Sequence, residues 1–438
     1  MDTLLVHIGK ITADKKEIIL PPLETLYLAE YLNQHNISAK IINLNLGKMD
    51  KNIFQLFSLI KKENIKIIGL PLHWHQQSFN VISLICKLKN NFPDIKTVIG
   101  GNTATFFHQE IINNFPLVDF IIRGDAEIPL LKLTKKILAN KKSFSDIPNL
   151  TWKNNKVIII NKQNYTCSER IINNIKPINP DIFLNKNSKT AIFNPIRGCT
   201  GNCPYCGGGT TAQKILYKRN HLLFLPIEKA LKTIRKMHSL GINHLYFPVY
   251  IPEAKEYYLN LFKRIRNDNL KFYATLESYC LADKQFIKKF SMTFYKKSTL
   301  ILSPDTGSNK LRKRIKTFFY SNKTLIDSLE TIIKNDINVD LQFSTGFPFE
   351  TKKDFAKTIA LIKYLKKFPI SFGGNSIELE PASPMYLHPK RYKINIKRKS
   401  FFDFITASKQ QKIGYSTENF LEKEIILNNQ YLKKIYEK

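Results

Sequence analysis

Three cysteines within eight residues constrain this sequence more than any other feature. Cys199, Cys203 and Cys206 have the spacing C-x3-C-x2-C, and three glycines follow at residues 207–209. On a short, flexible loop, three thiolates can each bind a different iron of a four-iron cluster, which leaves one iron without a protein ligand. Four cysteine ligands suit a cluster that only transfers electrons. An iron without a protein ligand indicates instead that a substrate or cofactor binds to it. The loop therefore predicts a [4Fe-4S] cluster that does chemistry.

Two other cysteine structures fit this pattern less well. A structural zinc site normally has two pairs of Cys or His ligands, whereas the next cysteine, Cys280, has no paired neighbour. A disulfide is not expected, because residues 3–8 are too short for a secretory signal and lack its basic lead-in. The expected location is therefore the reducing cytoplasm. Zinc and chance spacing remain the alternatives to a cluster.

With Tyr205 before its last cysteine, the loop resembles the signature loop of radical S-adenosylmethionine (SAM) enzymes. In that family SAM chelates the open iron, and the reduced cluster cleaves SAM to a 5′-deoxyadenosyl radical. The resemblance implies that Cys199, Cys203 and Cys206 are the catalytic metal ligands. It also implies that Tyr205 contributes to SAM binding, and that an external donor of the flavodoxin or ferredoxin type supplies the electron.

The composition indicates a globular chain. Of its 438 residues 43% are hydrophobic, enough for two or three domains with their own cores. No apolar run is long enough to predict a transmembrane helix. The net charge is +33, from 68 Lys and Arg against 35 Asp and Glu. This excess would suit an anionic partner such as nucleic acid, but the lysines are scattered, which favours an ordinary basic surface.

Residues 1–150 alternate short apolar runs with helical patterns, which is typical of a parallel α/β sheet. Helices are expected over residues 21–33 and 79–91, and Pro21 and Pro22 fit the first turn of the earlier one. The expected strands are residues 3–8, 39–44, 66–70, 96–99 and 119–122. Ligands of such sheets bind beyond the carboxyl ends of the strands, so the loops after the third, fourth and fifth strands are the expected binding loops.

Three motifs follow one another in this region: Pro-Pro-Leu-x-x-Leu-Tyr-Leu-Ala, then Gly-Gly-Asn-Thr-Ala-Thr, then Gly-Asp-Ala-Glu. The set is similar to the cobalamin-binding domain that precedes many radical SAM domains. The resemblance implies a Rossmann-like cobalamin-binding domain over residues 1–150. The cobalamin-binding residues that it implies are Leu70, Pro71, Gly100, Gly101, Asn102, Gly124 and Glu127.

Two positions depart from that family's pattern. The loop after the first strand, residues 9–12, lacks the Asp-x-His-x-x-Gly motif whose histidine ligates cobalt, so cobalamin without such a ligand is expected. Asn43 stands where the family often has Asp. On the loop after the third strand, His73 and His75 flank Trp74, and a packing or surface role is favoured for both histidines over an approach to the corrin.

Residues 151–189 are expected to be a connector, with a small hairpin over residues 151–157 and an Asn- and Pro-rich stretch after it. From residue 190 the α/β pattern restarts. The expected strands are residues 190–195, 244–250, 272–277, 299–303, 339–343 and 376–379, with helices between them. Six strands with crossover helices predict a parallel sheet curled into a barrel or partial barrel. Over residues 190–390 this resembles the partial (β/α)6 barrel of radical SAM enzymes.

The loops at the carboxyl ends of these strands are the expected SAM site. The resemblance implies SAM binding by Pro248, Glu277, Ser303, Asp305 and Gly346. Structural alternatives remain open, with Glu277 in an ion pair of the barrel and Asp305 as a helix N-cap. Residues 378–386 resemble the closing segment of cobalamin-dependent members, and residues 391–438 form a basic, amphipathic tail.

Together these features predict a cobalamin-dependent radical SAM enzyme that acts on a small-molecule or natural-product intermediate. The favoured reaction is methyl transfer to a poorly activated carbon, with the protein positioning its cofactors and excluding water and oxygen. A rearrangement or cyclisation without methylation stays open. A tRNA methylthiotransferase is disfavoured, because that family has three more cysteines in its first domain and only Cys86 lies in residues 1–150. A non-enzymatic cobalamin or iron sensor is also disfavoured, by the series of barrel loops.

Overall fold

The computed structural model describes residues 1–9, 23–44, 49–176, 189–410 and 413–437. The chain forms two compact units, each built on its own sheet. The first unit comprises Met1–Ser188, Gln213–Asn220 and Arg398–Lys412, and the second comprises Lys189–Ala212, His221–Lys397 and Ile413–Lys438. The expected helix start at Pro21 and Pro22, most of the loop at residues 9–12 and the Pro-rich part of the connector lie outside the described residues.

The first unit contains a seven-stranded sheet in the order β2-β1-β3-β4-β5-β6-β7. Its strands are β1 (Thr3–His7), β2 (Ala39–Asn43), β3 (Ile67–Pro71), β4 (Lys96–Gly100), β5 (Phe120–Ile122), β6 (Leu150–Asn154) and β7 (Val157–Ile160). The first five run parallel, and the order reverses direction between β1 and β3, where ligands of doubly wound sheets bind. The helices are α1 (Leu23–Asn33), α2 (Met49–Glu63), α3 (Ser78–Asn91), α4 (Asn102–Phe106), α5 (His108–Asn114), α6 (Glu127–Leu138) and α7 (Glu169–Asn174).

The five predicted strands of this sheet are confirmed to within about two residues at each end, because apolar, β-branched side chains fill both of its faces. The predicted hairpin also forms, as β6 and β7. It is not part of a connector, however, because β6 pairs antiparallel with β5, with Trp152 opposite Phe120. The expected boundary at residue 150 therefore falls inside a sheet.

In the remainder of the chain the strands are β8 (Thr190–Ile192), β9 (Ile196–Arg197), β10 (Leu223–Phe224), β11 (His244–Tyr250), β12 (Tyr273–Ser278), β13 (Thr299–Asp305), β14 (Asn338–Phe343), β15 (Ser371–Gly373), β16 (Ile394–Ile396) and β17 (Tyr415–Thr417). The helices are α8 (Thr210–Tyr217), α9 (Ile227–Ser239), α10 (Lys255–Asn267), α11 (Lys284–Thr293), α12 (Asn309–Ile315), α13 (Asn322–Lys334), α14 (Lys352–Leu365), α15 (Pro384–Leu387), α16 (Phe401–Gln410) and α17 (Glu422–Glu437). None of the helices in the described part of the chain is long and apolar enough to cross a membrane.

The second unit is a partial (β/α)6 barrel. Six strands lie in the order β15-β14-β13-β12-β11-β8, all parallel and in sequence order. From β11 to β14, fully buried residues alternate with half-buried ones. The buried residues pack against the helices, as Phe247 does against Tyr258 and Phe262 of α10, with ring centroids 5.7 and 6.4 Å apart. The half-buried residues therefore line the concave face of the sheet.

The prediction for the sixth strand is wrong. That strand is β15, whereas the expected residues 376–379 contribute only an isolated bridge between Ser376 and Thr345. The chain leaves the sheet at Gly374, which has a φ of +124° and packs directly on the backbone of Phe343. The alternating apolar residues Ile377 and Leu379 instead join a hydrophobic cluster with the C-terminal segment.

The expected basic tail is divided between the two units. Residues 398–412 belong to the first unit, and residues 413–437 belong to the second. Strands β16 and β17 pair antiparallel, and α17 packs along α14 and β15. Tyr415 is fully buried, and its hydroxyl donates to the carbonyls of Gly346 at 2.6 Å and Ile377 at 2.9 Å. The end of the chain is therefore part of the packed barrel.

Candidate functional site

The cysteine loop lies between β9 and β10, which pair antiparallel. The loop closes on itself where the Thr210 N–H donates to the Gly201 carbonyl at 2.7 Å. A Cβ on Gly209 would lie 2.7 Å from the same oxygen, so this position requires glycine. Gly209 thus allows a close approach of backbone to backbone that closes the loop.

The three cysteines are free, half-buried thiols, and each sulfur has a hydrogen-bonding neighbour. Cys199 Sγ accepts the Gly201 N–H at 3.3 Å, and Cys206 Sγ accepts the Gly208 N–H at 3.4 Å. Cys203 Sγ lies 3.8 Å from Thr317 Oγ1. Hydrogen-bond donors of this kind stabilise thiolate ligands, so the loop fits a cluster held by three thiolates.

Burial also affects the protonation of the cysteine thiols. Burial raises the pKa of Cys206 to about 12, with the neighbouring Cys203 and Cys199 adding to the effect, and burial raises the pKa of Cys199 as well. Without a cation these two thiols stay protonated at neutral pH, and iron would displace their protons. Among the described residues, no three His, Cys, Asp or Glu side chains converge closely enough to bind a single metal ion. A four-iron cluster needs no such convergence, because each thiolate binds a different iron.

Tyr205 is anchored by a buried ion pair. Its hydroxyl donates to Asp305 Oδ2 at 2.9 Å, and the Lys316 ammonium donates to the same oxygen at 2.8 Å and to the Ser303 carbonyl at 2.6 Å. Burial alone would lower the pKa of Lys316, but attraction to Asp305, Tyr320 and Cys203, with the hydrogen bond to Asp305, together outweigh it and the net shift of the pKa is upward. Asp305 is not a helix N-cap, since Ser308 caps α12. Three predicted SAM residues, Tyr205, Ser303 and Asp305, thus meet at one lysine.

Three consecutive residues that follow α12 hold the cysteine loop. Lys316 reaches it through Asp305 and Tyr205. Thr317 Oγ1 accepts the Asn202 N–H at 2.7 Å, and the Phe318 ring would lie 3.2 Å from a Cβ on Gly201. No sequence motif includes these residues. They follow a run of basic side chains, so the sequence predicts only that they lie on the surface.

The segment after β15 packs on the other side of the loop. The Met385 N–H donates to the Pro204 carbonyl at 2.9 Å. A Cβ on Gly207 would lie 2.9 Å from the Pro381 carbonyl oxygen and 3.0 Å from Cβ of Glu380. The structure therefore brings the expected closing segment directly against the cysteine loop.

Glu277 and Pro248 lie near each other at the ends of β12 and β11. The Tyr246 hydroxyl donates to Glu277 Oε1, and burial raises the pKa of Glu277 to about 7. Among the described residues Glu277 makes no ion pair, so the alternative of a barrel ion pair is not supported. The Pro248 carbonyl accepts the Tyr279 hydroxyl at 3.1 Å. Burial raises the pKa of Tyr279, a residue that the sequence did not single out, and the charges of Glu277, Cys206 and Cys199 add to the shift.

Gly346 lies in a tightly packed turn with a φ of +91°. A Cβ there would lie 2.8 Å from Ile425 Cγ2 and 2.9 Å from the Tyr415 hydroxyl. Its N–H donates at 2.7 Å to Oε2 of the buried Glu350, whose pKa burial raises to about 7. The next residue, Phe347, contacts the Tyr205 ring edge-on at 5.2 Å between centroids. The turn at Gly346 is therefore linked to the cysteine loop by Phe347, which contacts Tyr205.

In the first unit, the loops after β3 and β4 are tied together. The Leu72 N–H donates to the Gly100 carbonyl at 2.7 Å, and a Cβ on Gly101 would lie 2.9 Å from the backbone of His73. Gly101 has a φ of +104°, so only glycine allows this approach. Leu70 is 2% exposed, which places its side chain in the sheet core and leaves only its backbone for a ligand.

Two other predicted cobalamin residues, Asn102 and Gly124, contact residues 213–220, a segment that the sequence did not indicate. The Tyr217 hydroxyl donates to Asn102 Oδ1, and a Cβ on Gly124 would lie 3.0 Å from the Leu216 carbonyl. Arg219 binds both oxygens of the buried Asp125 at 2.7 and 2.6 Å. These contacts fix the loop after β5.

Glu127 and the two histidines are held by protein contacts. Glu127 is 1% exposed and accepts the Tyr165 hydroxyl at 3.1 Å. The ring of the buried His75 contacts Phe404 of α16, with centroids 5.2 Å apart. The His73 ring packs on Trp74 at 4.6 Å. Packing of both histidines agrees with the role favoured for them from the sequence.

Two family models match separate parts of the chain. The family model described as "Radical SAM superfamily" matches residues 193–362, and the model described as "B12 binding domain" matches residues 9–134. A tRNA-2-methylthio-N(6)-dimethylallyladenosine synthase of Buchnera aphidicola subsp. Schizaphis graminum is 22% identical over 404 residues, which are 88% of this chain and 81% of that protein.

Two solved structures share the fold. The radical SAM methyltransferase TsrM from Kitasatospora setae, solved with cobalamin and a [4Fe-4S] cluster, has a TM-score of 0.71 at 11% identity, over 91% of this chain and 78% of that chain. The cobalamin-dependent SAM radical enzyme OxsB, solved with aqua-cobalamin and SAM, has a TM-score of 0.70 at 14% identity, over 99% of this chain and 66% of that chain.

Proposed function

We propose that the chain is a cobalamin-dependent radical SAM methyltransferase, because separate parts of it match the radical SAM and the B12-binding family models. Its cofactors are a [4Fe-4S] cluster, SAM and cobalamin. The substrate is a small molecule with a poorly activated carbon, and an external flavodoxin- or ferredoxin-type protein supplies electrons.

One observation carries this proposal. A loop of three hydrogen-bonded cysteine thiols stands in the same chain as a doubly wound, B12-binding type sheet. Three thiolates leave an iron open for SAM, and the sheet presents glycine-lined loops at its carboxyl edge. A chain equipped for both cofactors is suited to moving a methyl group, since cobalamin can carry a methyl group that SAM supplies.

The side chains of the barrel would position these groups. Cys199, Cys203 and Cys206 hold the cluster. When bound, the cluster and SAM supply radical chemistry, and cobalamin supplies the methyl group. The Lys316–Asp305 pair fixes Tyr205 beside the cluster loop. Such preorganisation lowers the entropic cost of reaching a reactive geometry.

The cobalamin residues are proposed on the same basis. Pro71, Gly100, Gly101 and Asn102 lie on loops that meet at the carboxyl edge of the first sheet, and backbone close to a ligand is what glycine permits. Leu70 would contribute through its backbone. Gly124 and Glu127 would act indirectly, by shaping the loop after β5.

The relative from Buchnera supports a second candidate, tRNA methylthiolation. Members of that family resemble this chain in carrying an α/β domain before the barrel, but they need three further cysteines there. Residues 1–150 contain only Cys86, so this candidate stays disfavoured. A rearrangement or cyclisation would use the same cofactors without consuming a methyl group, and experiment must separate it from methyl transfer.

The test uses SAM with a deuterated methyl group and the anaerobically reconstituted, cobalamin-loaded protein, with dithionite supplying the electrons that reduce the cluster and the cobalamin. Methyl transfer predicts labelled methylcobalamin together with S-adenosylhomocysteine, and, with the true substrate, labelled product and equal amounts of S-adenosylhomocysteine and 5′-deoxyadenosine. Mass spectrometry measures all four compounds. If the loaded protein forms 5′-deoxyadenosine but neither labelled methylcobalamin nor S-adenosylhomocysteine, methyl transfer is refuted in favour of rearrangement.

A further inference from the structure

The hydrogen bonds to the three cluster cysteines are of two kinds. Cys199 and Cys206 receive theirs from backbone N–H groups two residues further on, at 3.3 and 3.4 Å. Cys203 instead faces a side-chain hydroxyl, that of Thr317, at 3.8 Å. Thr317 is 114 residues away in sequence and lies just after α12. A side-chain donor can be removed by substitution, whereas the two backbone donors cannot.

The direction of this hydrogen bond follows from the chemistry of the two groups. Thr317 Oγ1 already accepts the Asn202 N–H at 2.7 Å, which uses a lone pair and leaves its own proton available. A Cys203 thiolate bound to iron has no proton to donate. The hydroxyl must therefore be the donor whenever the cluster is present, and the sulfur must be the acceptor.

We propose that Thr317 is a positioning residue that donates a hydrogen bond to the Cys203 sulfur and raises the reduction potential of the cluster. The inference rests on the proposed function, because it requires the cluster. Reduction adds negative charge to the cluster and makes its sulfurs better acceptors. A donor therefore stabilises the reduced state more than the oxidised one, and hydrogen bonds to sulfur are among the determinants of these potentials.

The neighbouring residues make Thr317 suited to this role. Lys316 is fixed by Asp305 and the Ser303 carbonyl, and Phe318 packs at Gly201. The Thr317 backbone is thus held on both sides, so its hydroxyl stays near Cys203. The Thr317 side chain is itself exposed, so its substitution should leave the fold intact.

The expected effect is modest and has a defined sign. Thr317→Val keeps the shape but removes the hydroxyl, and it should shift the cluster midpoint to a more negative value. One hydrogen bond typically changes an equilibrium about fivefold. For a one-electron couple that is about 40 mV, at 59 mV per tenfold. Thr317→Ala should shift the midpoint equally, and Thr317→Ser, which keeps the hydroxyl, should retain the wild-type value.

The test is an anaerobic redox titration of the reconstituted full-length variants, with dithionite as reductant and the reduced cluster followed by EPR. Thr331→Val is the matched control, because the Thr331 hydroxyl bonds to the Asp327 carbonyl within α13. If Val and Ala lose the cluster while Ser keeps it, the hydroxyl holds the loop through Asn202 and Cys203, and the inference that it tunes the potential is overturned.

Three further results overturn the inference, and they differ in what else they refute. A four-iron cluster whose midpoint is the same in wild type, Thr317→Val and Thr317→Ala refutes the role of Thr317 and leaves the proposed function intact. Wild-type protein that takes up no four-iron cluster refutes the proposed function, and the inference with it. A shift of equal size in Thr317→Ser would assign the effect to packing rather than to the hydroxyl.

Discussion

Replacing Lys316 by methionine tests whether the buried Lys316–Asp305 ion pair, which holds Tyr205, stabilises the protein. The Lys316 and Asp305 side chains are 4% and 9% exposed, and their charged atoms are 2.8 Å apart. Removing one partner of a buried pair typically costs about 3–5 kcal/mol, because the other charge stays buried. Since the Tyr205 hydroxyl still donates to Asp305, we expect a loss near the lower limit, about 3 kcal/mol.

The assay is thermal unfolding of the apo-protein, followed by circular dichroism. For a domain of this size about 3 kcal/mol lowers the melting temperature by roughly 6–12 °C. The control is Lys296→Met, which breaks an exposed pair with Asp336 (84% and 54% exposed) and should leave the melting temperature nearly unchanged. Because the pKa of Lys316 is raised, the stabilisation persists below the ordinary lysine value and is lost only as the pH rises through the raised one. The same deficit is therefore expected at pH 7 and pH 9. If Lys316→Met lowers the melting temperature no more than Lys296→Met does, the Lys316–Asp305 pair does not stabilise the fold.

Two further predictions concern the turn that begins at Gly346. Gly346→Ala should lower the free energy of unfolding by about 2–4 kcal/mol, because the backbone is strained and the new methyl group meets Ile425 and Tyr415. The control is Gly241→Ala, at a φ of +76° with open space around it, which should cost about 1 kcal/mol. Equal losses for the two variants in urea titrations would contradict the close packing at Gly346. Glu350 has a raised pKa of about 7, so the folded protein binds its proton more tightly than the unfolded chain. Wild-type stability should therefore fall, relative to Glu350→Gln, as the pH rises from about 4.5 to 7, by roughly 3 kcal/mol, and the opposite slope would contradict the burial.

The sequence predicts most of the fold because strand patterns are local. Apolar runs with helices between them give the five parallel strands of the first sheet and strands β11 to β14 of the barrel to within about two residues, whereas β8 ends three residues before its predicted end. The prediction of the sixth barrel strand is wrong because of contacts with residues distant in sequence. Residues 376–379 alternate like a strand, but Ile377 and Leu379 are buried by the C-terminal segment, whose packing no local pattern reveals.

The candidate site divides in the same way. The cysteines, Tyr205 and the glycines of the loops stand in recognisable motifs. Lys316 and Thr317, by contrast, contact the cysteine loop from more than a hundred residues away in sequence, and nothing local distinguishes them from other basic or polar surface residues. Arg219 is similar, because its partner Asp125 lies 94 residues earlier. Pairings made by tertiary structure alone are therefore what the sequence does not reveal.

The most direct test of the central claim is cofactor content together with SAM cleavage in three proteins. Wild-type protein, reconstituted anaerobically, should bind about four irons and one cobalamin and release 5′-deoxyadenosine from SAM under reduction. Cys203→Ala should lose SAM cleavage, whereas Cys280→Ala, a change at a buried thiol outside the loop, should behave as wild type. A wild-type cluster and full SAM cleavage in Cys203→Ala would contradict the account.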